Sequence, residues 1–374
     1  MRQLSRAPFL LLSAFLILAC SKPQAEKPFE YAFIKPLHLK QQAGKLYSDY
    51  RAFYLLTEDF EPSVESSVDV ERIREVLKIA SSLSSTYRVP WTHFVDANAL
   101  ALAFVSDDQE LRVACQAMIS DLKNMAAGGD DCELHLHGPL NSKLVEQLKS
   151  QHRLRLPRSL DEVDQPYRQR RSFFFRTYHD AGYRELVTSL AYGKSFLENA
   201  LYDGNKTVIA FRPGGWDHGS SSQETLLYFH ALGDAGLTAN SGLSTGDFGG
   251  QNWRVGNDPG HNLATIAVGE KTLFEVSPTA GPGGYINPVL PNDLRRLATA
   301  AADEIPVIVA VYHLGALQRT KRAIEEGTQR SDAELQAERD ALEQHFRTVA
   351  DLTAAKILYP ITLRELLSII PEGN

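Results

Sequence analysis

Short apolar runs alternate with amphipathic segments along the chain from residue 51 onward. An apolar run of a few residues is typical of a buried strand, whereas apolar residues spaced by three and four predict a helix. The sequence therefore predicts strands over 52–56, 89–96, 207–211 and 307–312, and a further strand that ends at His135 and His137. It predicts helices over 69–81, 109–125, 183–201 and 331–351.

The order of these elements predicts the class of fold. Strands that alternate with helices of this length form a parallel sheet, which is either open or closed into a barrel. Ser331 and Glu334 predict a capping box at the start of the last helix. Residues 151–176 are rich in arginine and are expected to form an insertion, and residues 242–284 are rich in Gly, Asn and Pro, which predicts long loops.

The first 20 residues predict an export signal that is not part of the folded domain. Arg2 and Arg6 precede an apolar run over 9–18 that is too short to span a bilayer in the usual way. The run ends in Ile17-Leu18-Ala19-Cys20, which resembles the lipobox of bacterial lipoproteins. That resemblance implies cleavage before Cys20 and diacylation of its thiol.

The resemblance to lipoproteins implies membrane attachment in a bacterial cell envelope. Each buried methylene of an acyl chain contributes roughly 0.8 kcal/mol, so two or three chains anchor a protein stably. Ser21, rather than Asp, follows the cysteine and favours the outer membrane. Residues 21–45 are polar and predict a tether, and residues 46–374 are expected to form the folded domain.

The composition is that of an ordinary globular protein, with 43% hydrophobic residues, 23% charged residues and a formal net charge of −7. A mildly acidic chain has no bulk electrostatic reason to bind nucleic acid, so no such partner is expected. Cys115 and Cys132 could pair in an oxidising compartment, but the sequence does not set their separation.

Two histidines supply the first candidate chemistry. His135 and His137 lie at i and i+2 in an apolar run that ends at Gly138-Pro139. Residues two apart in a strand point to the same face, so both imidazoles can reach one point. Because histidine is the commonest metal ligand in proteins, this pair indicates a divalent metal site at the end of a strand.

Other ionisable residues also follow apolar strands. An acidic group follows the first strand, Arg212 and Trp216 follow the strand over 207–211, and His313 follows the strand over 307–312. In a barrel of parallel strands the carboxyl ends share one face, and that face holds the active site. The acidic group consists of Glu58, Asp59 and Glu61.

With these residues the sequence resembles polysaccharide deacetylases of the NodB-homology type, carbohydrate esterase family 4. Residues 134–139 resemble a Leu-His-Leu-His-Pro motif of one subgroup, and residues 211–216 resemble its Phe-Arg-Ala-Gly-Gly-Trp motif. His313 matches a final motif in which an apolar strand ends in histidine. The resemblance covers about residues 51–317. It implies an α/β fold, a distorted (β/α)7 barrel with long loop insertions, and a divalent metal, commonly zinc, held by one Asp and two His.

The family's first motif can be placed on this chain in two ways. In the first alignment Glu58 is the general base and Asp59 is the metal ligand beside His135 and His137. In the second alignment Asp59 is the base and Glu61 is the ligand. We prefer the first because it keeps an aspartate on the metal, and we retain Glu61 as the alternative acid.

The remaining roles follow from the chemistry of the side chains. A metal lowers the pKa of bound water and polarises an acyl carbonyl, and His313 would protonate the leaving group. Arg212 would orient a catalytic carboxylate through its planar guanidinium. Trp216 would stack on a sugar ring of the substrate.

The sequence thus predicts a metal-dependent enzyme that removes acetyl groups from a polysaccharide of the cell envelope or an exported one. A second hypothesis is a lipoprotein that keeps the barrel and binds glycan without hydrolysing it, with the loops over 242–284 as the binding surface. A third is a glycosidase that uses Glu58 or Asp59 with a second carboxylate and no metal.

Overall fold

A mixed sheet of ten strands forms the centre of the protein. The computed structural model describes residues 33–40, 49–150, 172–173, 181–214, 222–242, 262–279, 297 and 303–370. In these ranges the strands are β1 Phe33–Pro36, β2 Ala52–Phe60, β3 Trp91–Asp96, β4 Asp131–Leu136, β5 Ser172–Phe173, β6 Ala181–Gly182, β7 Ala210–Pro213, β8 Ala239–Asn240, β9 Leu263–Val268, β10 Lys271–Val276, β11 Val307–Tyr312 and β12 Leu358–Pro360.

Helices surround this sheet and connect most of its strands. The described helices are α1 Ser67–Tyr87, α2 Ala97–Val105, α3 Gln109–Ala127, α4 Ser142–Ser150, α5 Tyr183–Tyr202, α6 Ser222–Asp234, α7 Lys321–Glu325, α8 Asp332–Ala354 and α9 Leu363–Ile369, with a 3₁₀ turn over Leu314–Leu317. The predicted capping box of Ser331 and Glu334 at the start of α8 is confirmed. No helix of the described ranges combines the length and the apolar character that crossing a membrane requires.

Seven neighbouring strands of the sheet run parallel. Their order is β10-β8-β7-β4-β3-β2-β11, and each adjacent pair is parallel. Beyond β10 the sheet continues through the antiparallel strands β9 and β1, and β12 pairs with the first residues of β2. This parallel order confirms the predicted α/β class and the predicted number of parallel strands.

Hydrogen bonds join the two ends of this sheet. Thr279, just after β10, donates its backbone N–H to the carbonyl of Val309 on β11 at 3.0 Å, and its Oγ1 accepts from Val309 N–H at 3.1 Å. The Asn262 side chain donates to the Val307 carbonyl at 3.1 Å, and Ile305 N–H donates to the Leu39 carbonyl at 2.8 Å. These contacts curl the sheet into a distorted barrel.

The barrel interior is filled by alternate residues of the parallel strands. On β2, Phe53 and Leu55 point inward, and Phe94, Ala210 and Val309 meet them from β3, β7 and β11. Because strand side chains alternate between faces, odd-numbered residues of β2 and β11 and even-numbered residues of β3 and β7 share the interior. The same rule decides which face of the sheet each site residue near the ends of these strands occupies.

β2 is longer than the sequence predicted. The apolar run suggested a strand over 52–56, but the strand continues to Phe60, and all nine of its residues are buried. β11 pairs with it through Glu58, and β3 pairs with it through Phe60. Strand pairing on both sides therefore carries three polar residues, Thr57, Glu58 and Asp59, into the protein.

Two further segments differ from the predictions. The segment over 242–284, predicted as loops, contains the antiparallel hairpin of β9 and β10, which turns at Gly269 with φ of 60°; a glycine at such a position is the usual hairpin signal. Strand β1 and its continuation through residue 40 lie within the segment predicted as a tether, since β1 pairs with β9. The sheet therefore begins at Phe33.

Several predictions concern residues outside the described ranges. These are the signal peptide over 1–20, the anchor at Cys20, the residue Trp216 and nearly all of the arginine-rich insertion over 151–176. Cys115 and Cys132 are both described, and both are buried free thiols.

Closure of the barrel depends on Asn262, which is fully buried and donates to the carbonyls of Ser277 and Val307. We expect Asn262→Ala to lower the free energy of unfolding by about 2–3 kcal/mol, because two buried carbonyl groups lose a donor. Urea unfolding followed by circular dichroism measures this loss. Asn205→Ala, at an exposed position, is the matched control; equal stability of the two variants would show that the Asn262 bonds do not hold the barrel closed.

Candidate metal and catalytic site

Three side chains from two strand ends converge on one point. Glu61 follows β2, His135 lies in β4, and His137 follows β4. The Oε1 atom of Glu61 lies 2.8 Å from Nε2 of His135 and 2.7 Å from Nε2 of His137. Two imidazole nitrogens and a carboxylate oxygen within this distance form a ligand set suited to a divalent ion.

The two histidines meet the same carboxylate because of their spacing along β4. As residues i and i+2 they point to the same side of the strand, and their ring centroids are 4.9 Å apart in an edge-to-face arrangement. His135 is fully buried, whereas half of the His137 side chain is exposed. His135 thus lies on the buried side of the site, and His137 lies on the side that solvent reaches.

Gly214, just after β7, gives His137 its room. A Cβ atom at this position would lie 2.5 Å from Cγ and 2.5 Å from Nδ1 of His137. Such a distance is well below van der Waals contact, so a larger residue would displace the imidazole. The first glycine of the Phe-Arg-Pro-Gly-Gly-Trp motif, Gly214, therefore leaves the space that the His137 imidazole occupies.

The charges around Glu61 favour its ionised form. Burial by itself would raise the pKa of the Glu61 carboxyl, but the hydrogen bonds from His135 and His137 outweigh burial and hold that pKa below its ordinary value. The hydrogen bond between Glu61 and His137 also raises the pKa of the His137 imidazole. A carboxylate that stays ionised beside two imidazoles can bind a cation without first losing a proton.

Asp59 lies beside this group on the interior face of β2 and is held by Arg212 of β7. Nη1 of Arg212 donates to Oδ1 of Asp59 at 2.7 Å. The guanidinium also donates through Nη2 to Thr57 Oγ1 at 3.0 Å and to Ser241 Oγ at 2.8 Å, and through Nε to the Ser241 carbonyl at 2.8 Å. Its carbon Cζ lies 4.0 Å from the centre of the Phe94 ring.

Arg212 is fully buried, so these contacts decide the geometry of the site. Burial lowers the pKa of the guanidinium, and the Asp59 carboxylate opposes this shift. A buried ion pair with every neighbour in place fixes the orientation of the carboxylate. Oδ1 of Asp59 is bound to Arg212, and Oδ2 faces the rest of the site.

His313 completes the group from the end of β11. Its Nε2 atom lies 3.9 Å from Oδ2 of Asp59, and a third of its side chain is exposed. Single ligand atoms of Asp59, Glu61 and His313 lie within 4.8 Å of one another. Asp59 and His313 therefore lie next to the candidate metal ligand Glu61.

Glu58 lies on the opposite face of β2 from Asp59. It is fully buried, and its Oε2 contacts Nδ1 of His93 on β3, whose Nε2 lies 3.7 Å from Asp130. Burial lowers the pKa of His93, but the two carboxylates outweigh burial and raise that pKa to about 9. Burial also raises the pKa of Glu58. Glu58 is thus committed to a buried ion pair in the layer between the sheet and the helices.

The geometry bears on the two alignments of the first motif. It brings Asp59, Glu61, His135, His137, Arg212 and His313 together, whereas Glu58 lies behind the strand. The arrangement corresponds to the second alignment, in which Glu61 joins the histidines and Asp59 lies free of them. The preferred roles of Glu58 as base and Asp59 as ligand do not fit this arrangement, because adjacent residues of a strand point to opposite faces.

Sequence reasoning missed three supporting residues. Thr57 and Ser241 hold Arg212, and the sequence pattern gives neither residue a role. Asp96, at the end of β3, caps α2 by accepting the Asn98 N–H at 2.9 Å. Burial raises the pKa of the Asp96 carboxyl, while His135 and His137 act against this shift, which places a further acidic group near the histidines.

The residues present fit a divalent metal. His135 is fully buried, and neither of its ring nitrogens forms a well-aligned hydrogen bond within the described residues, although Nε2 lies 2.8 Å from Oε1 of Glu61. The imidazoles of His135 and His137 and the carboxylate of Glu61 offer two nitrogen ligands and one oxygen ligand. Three protein ligands with space beside them are the pattern of a catalytic zinc site.

No known family model and no curated protein matches the chain. Several solved structures are similar to it at low identity. One is a protein assigned as a polysaccharide deacetylase from Mycobacterium smegmatis, with 12% identity, a TM-score of 0.48 and coverage of 90% of this chain and 95% of that one.

Two further similar structures show how far the likeness extends. One is the Xyl-CE4 domain of a multidomain xylanase from the hindgut metagenome of Trinervitermes trinervoides, with 10% identity, a TM-score of 0.35 and coverage of 85% and 90%. The other is a 4-alpha-glucanotransferase from Thermococcus litoralis, with 12% identity, a TM-score of 0.41 and coverage of 85% and 40%. Similarity at this level does not establish a chemistry, which has to come from the residues of the site.

The geometry brings the carboxylate of Glu61, and not that of Asp59, within 2.8 Å of both His135 and His137. We expect Glu61→Gln to weaken zinc or cobalt binding by more than the roughly 10–100-fold loss that is typical of an outer-shell partner. A titration in competition with a chelating dye measures this loss. Asp59→Asn is the matched control and should still bind the ion; loss of binding in Asp59→Asn with retention in Glu61→Gln would restore the first alignment.

The position of His137 depends on the small size of Gly214. Because an added methyl group would collide with the imidazole, we expect Gly214→Ala to weaken metal binding by roughly 10–100-fold and to leave the circular dichroism spectrum unchanged. The control is Gly233→Ala, whose nearest contact is the flexible Lys271 side chain at 3.1 Å. Unchanged affinity in Gly214→Ala would show that His137 is not a ligand.

Proposed function

We propose that the protein is a metal-dependent hydrolase that removes acetyl groups from a polysaccharide of the cell envelope or an exported one. The observation that carries the proposal is the arrangement of Glu61, His135 and His137 beside an acid, Asp59, that Arg212 holds in place. The motif resemblance supplies the substrate class, and the site geometry supplies the reaction type. Metal-assisted hydrolysis of an acyl bond uses a bound Lewis acid, a general base and a general acid, and this site has residues that could hold the ion and residues suited to the other two roles.

Glu61, His135 and His137 would hold the divalent ion. Two imidazoles with one carboxylate suit zinc, although cobalt or nickel can occupy such a site. When bound, the ion supplies the Lewis acidity that polarises an acyl carbonyl and makes water more acidic. The half-exposed His137 lies on the side from which a substrate would enter.

Asp59 would be the general base. Arg212 occupies its Oδ1 and fixes the plane of the carboxylate, so Oδ2 remains to accept a proton from the attacking water. Holding the base in one orientation before the substrate arrives removes part of the entropic cost of the reaction. Arg212 thus acts through Asp59 as a positioning residue.

His313 would be the general acid. Its Nε2 lies close enough to Asp59 Oδ2, at 3.9 Å, to work on the same reacting group. Water adds to the acyl carbon as Asp59 takes its proton, and the bond to the sugar nitrogen or oxygen breaks as His313 protonates that atom. The products are acetate and a free amine or hydroxyl group on the sugar.

The location proposed for this reaction is the bacterial cell envelope. The resemblance of Ile17-Leu18-Ala19-Cys20 to a lipobox supports an acyl anchor on Cys20. Labelling of the full-length protein with a fatty-acid analogue in cells tests for this anchor. Trp216 remains the proposed stacking residue for a sugar ring. An outer-membrane anchor would place the barrel within reach of envelope or exported glycans.

We expect the protein without its first 20 residues to release acetate from acetylated chitin or xylan oligosaccharides once loaded with zinc or cobalt. Asp59→Asn and His313→Gln should each lower the rate by roughly 10²–10⁴-fold, the usual contribution of a general base or acid. Asp303→Asn, at an exposed position on the surface, is the control and should keep the wild-type rate.

Two other outcomes would overturn the proposal in favour of its alternatives. Binding of the oligosaccharides with bound metal and no acetate release would indicate a glycan-binding lipoprotein. Release of new reducing ends without any metal would indicate a glycosidase with two carboxylates. Mass spectrometry of the reaction products separates these three results.

A further inference from the structure

A cavity of about 480 Å³ lies between α1, α7 and α8, and none of its lining residues belongs to the candidate metal and catalytic site. Its volume is in the range of sites that hold small molecules. Arginines from three segments reach it: Arg72 of α1, Arg319 before α7, and Arg339 of α8. The cavity therefore has a concentration of guanidinium groups that the proposed hydrolysis does not use.

Two of these arginines have a buried nitrogen without a partner. The Nε–H groups of Arg319 and Arg339 are buried and donate to no acceptor among the described residues. They are the only arginine nitrogens of the described chain in this state, and both line the same cavity. Because buried donors in folded proteins are nearly always bonded, these two guanidinium groups leave positive charge in the wall of the cavity that an anion can pair with.

The acidic residues of the cavity do not cancel this charge inside it. Asp332 contacts Nη2 of Arg319, but 93% of the Asp332 side chain is exposed, and an ion pair in solvent is weak. Glu75 is also exposed. Arg72 donates from Nη1 to the Arg319 carbonyl at 3.0 Å, which fixes the segment that carries Arg319.

The floor of the cavity is apolar. Val76, Leu317 and Leu335 are buried there, and Ile324 is partly exposed at the side. Gln336 adds one amide that can bond to a hydroxyl or carbonyl group. A ligand that fits would combine an oxyanion for the arginines with a compact body that covers aliphatic side chains.

We propose that this cavity binds an anionic sugar, with its carboxylate or phosphate group bound by Arg319 and Arg339. Guanidinium groups suit both anions because their planar donors match two oxygen atoms. The oxyanion part of this inference rests on the cavity alone, whereas the sugar part rests on the proposed function. A glycan that carries acidic units would then be held at a second place on the protein.

Isothermal titration calorimetry of the protein without its first 20 residues tests this inference without any acetate release. The probes are methyl β-D-glucuronide and glucose 1-phosphate, with methyl β-D-glucoside as the neutral control. We expect saturable binding of at least one anionic probe and at least tenfold weaker binding of the glucoside. The probe that binds identifies the carboxylate or the phosphate as the recognised group.

Variants locate the binding. Arg339→Gln should weaken binding of the anionic probe at least tenfold, and Arg319→Gln serves as the second variant if Arg339→Gln does not fold. The matched control is Arg322→Gln, because Arg322 pairs with Glu326 on the exposed side of α7 and does not line the cavity. Binding of neither anion, or equal binding of an anion by wild type and Arg339→Gln, would overturn the proposal even if the protein releases acetate.

Discussion

The buried ion pair between Arg212 and Asp59 is the constraint on which the site depends. A guanidinium can be buried only if its donors are bonded and its charge is paired. Here the partners come from β2 and from Ser241 after β8, while Arg212 itself comes from β7. The same contacts that make the burial tolerable also align Asp59, so the fold and the orientation of the carboxylate are fixed together.

The alternation of side chains along β2 gives two adjacent acids different roles. Asp59 faces the barrel interior and meets Arg212, whereas Glu58 faces the helix layer and meets His93. Each acid contacts a basic side chain of a neighbouring strand. Glu61, one residue beyond the strand, is less buried and can therefore reach the two histidines of β4 at the mouth of the barrel.

Much of this arrangement could be predicted from sequence, and the rest could not for physical reasons. The apolar runs located the central parallel strands, and the spacing of His135 and His137 predicted their shared face. The sequence does not distinguish the three nearby acids, because residues 52–56 of β2 are apolar on both faces and do not show which face is the interior. The β9–β10 hairpin and β1 were missed because their stability comes from pairing with distant segments, which single-sequence periodicity does not report.

The most direct test of this account is anomalous X-ray diffraction from crystals of the protein soaked in zinc and measured at the zinc absorption edge. We expect one strong peak at about 2.0–2.2 Å from a Glu61 carboxylate oxygen and from Nε2 of both His135 and His137. In the same map Asp59 should remain bound to Arg212. A peak coordinated by Asp59 instead of Glu61, or no peak between the two histidines, would contradict the account.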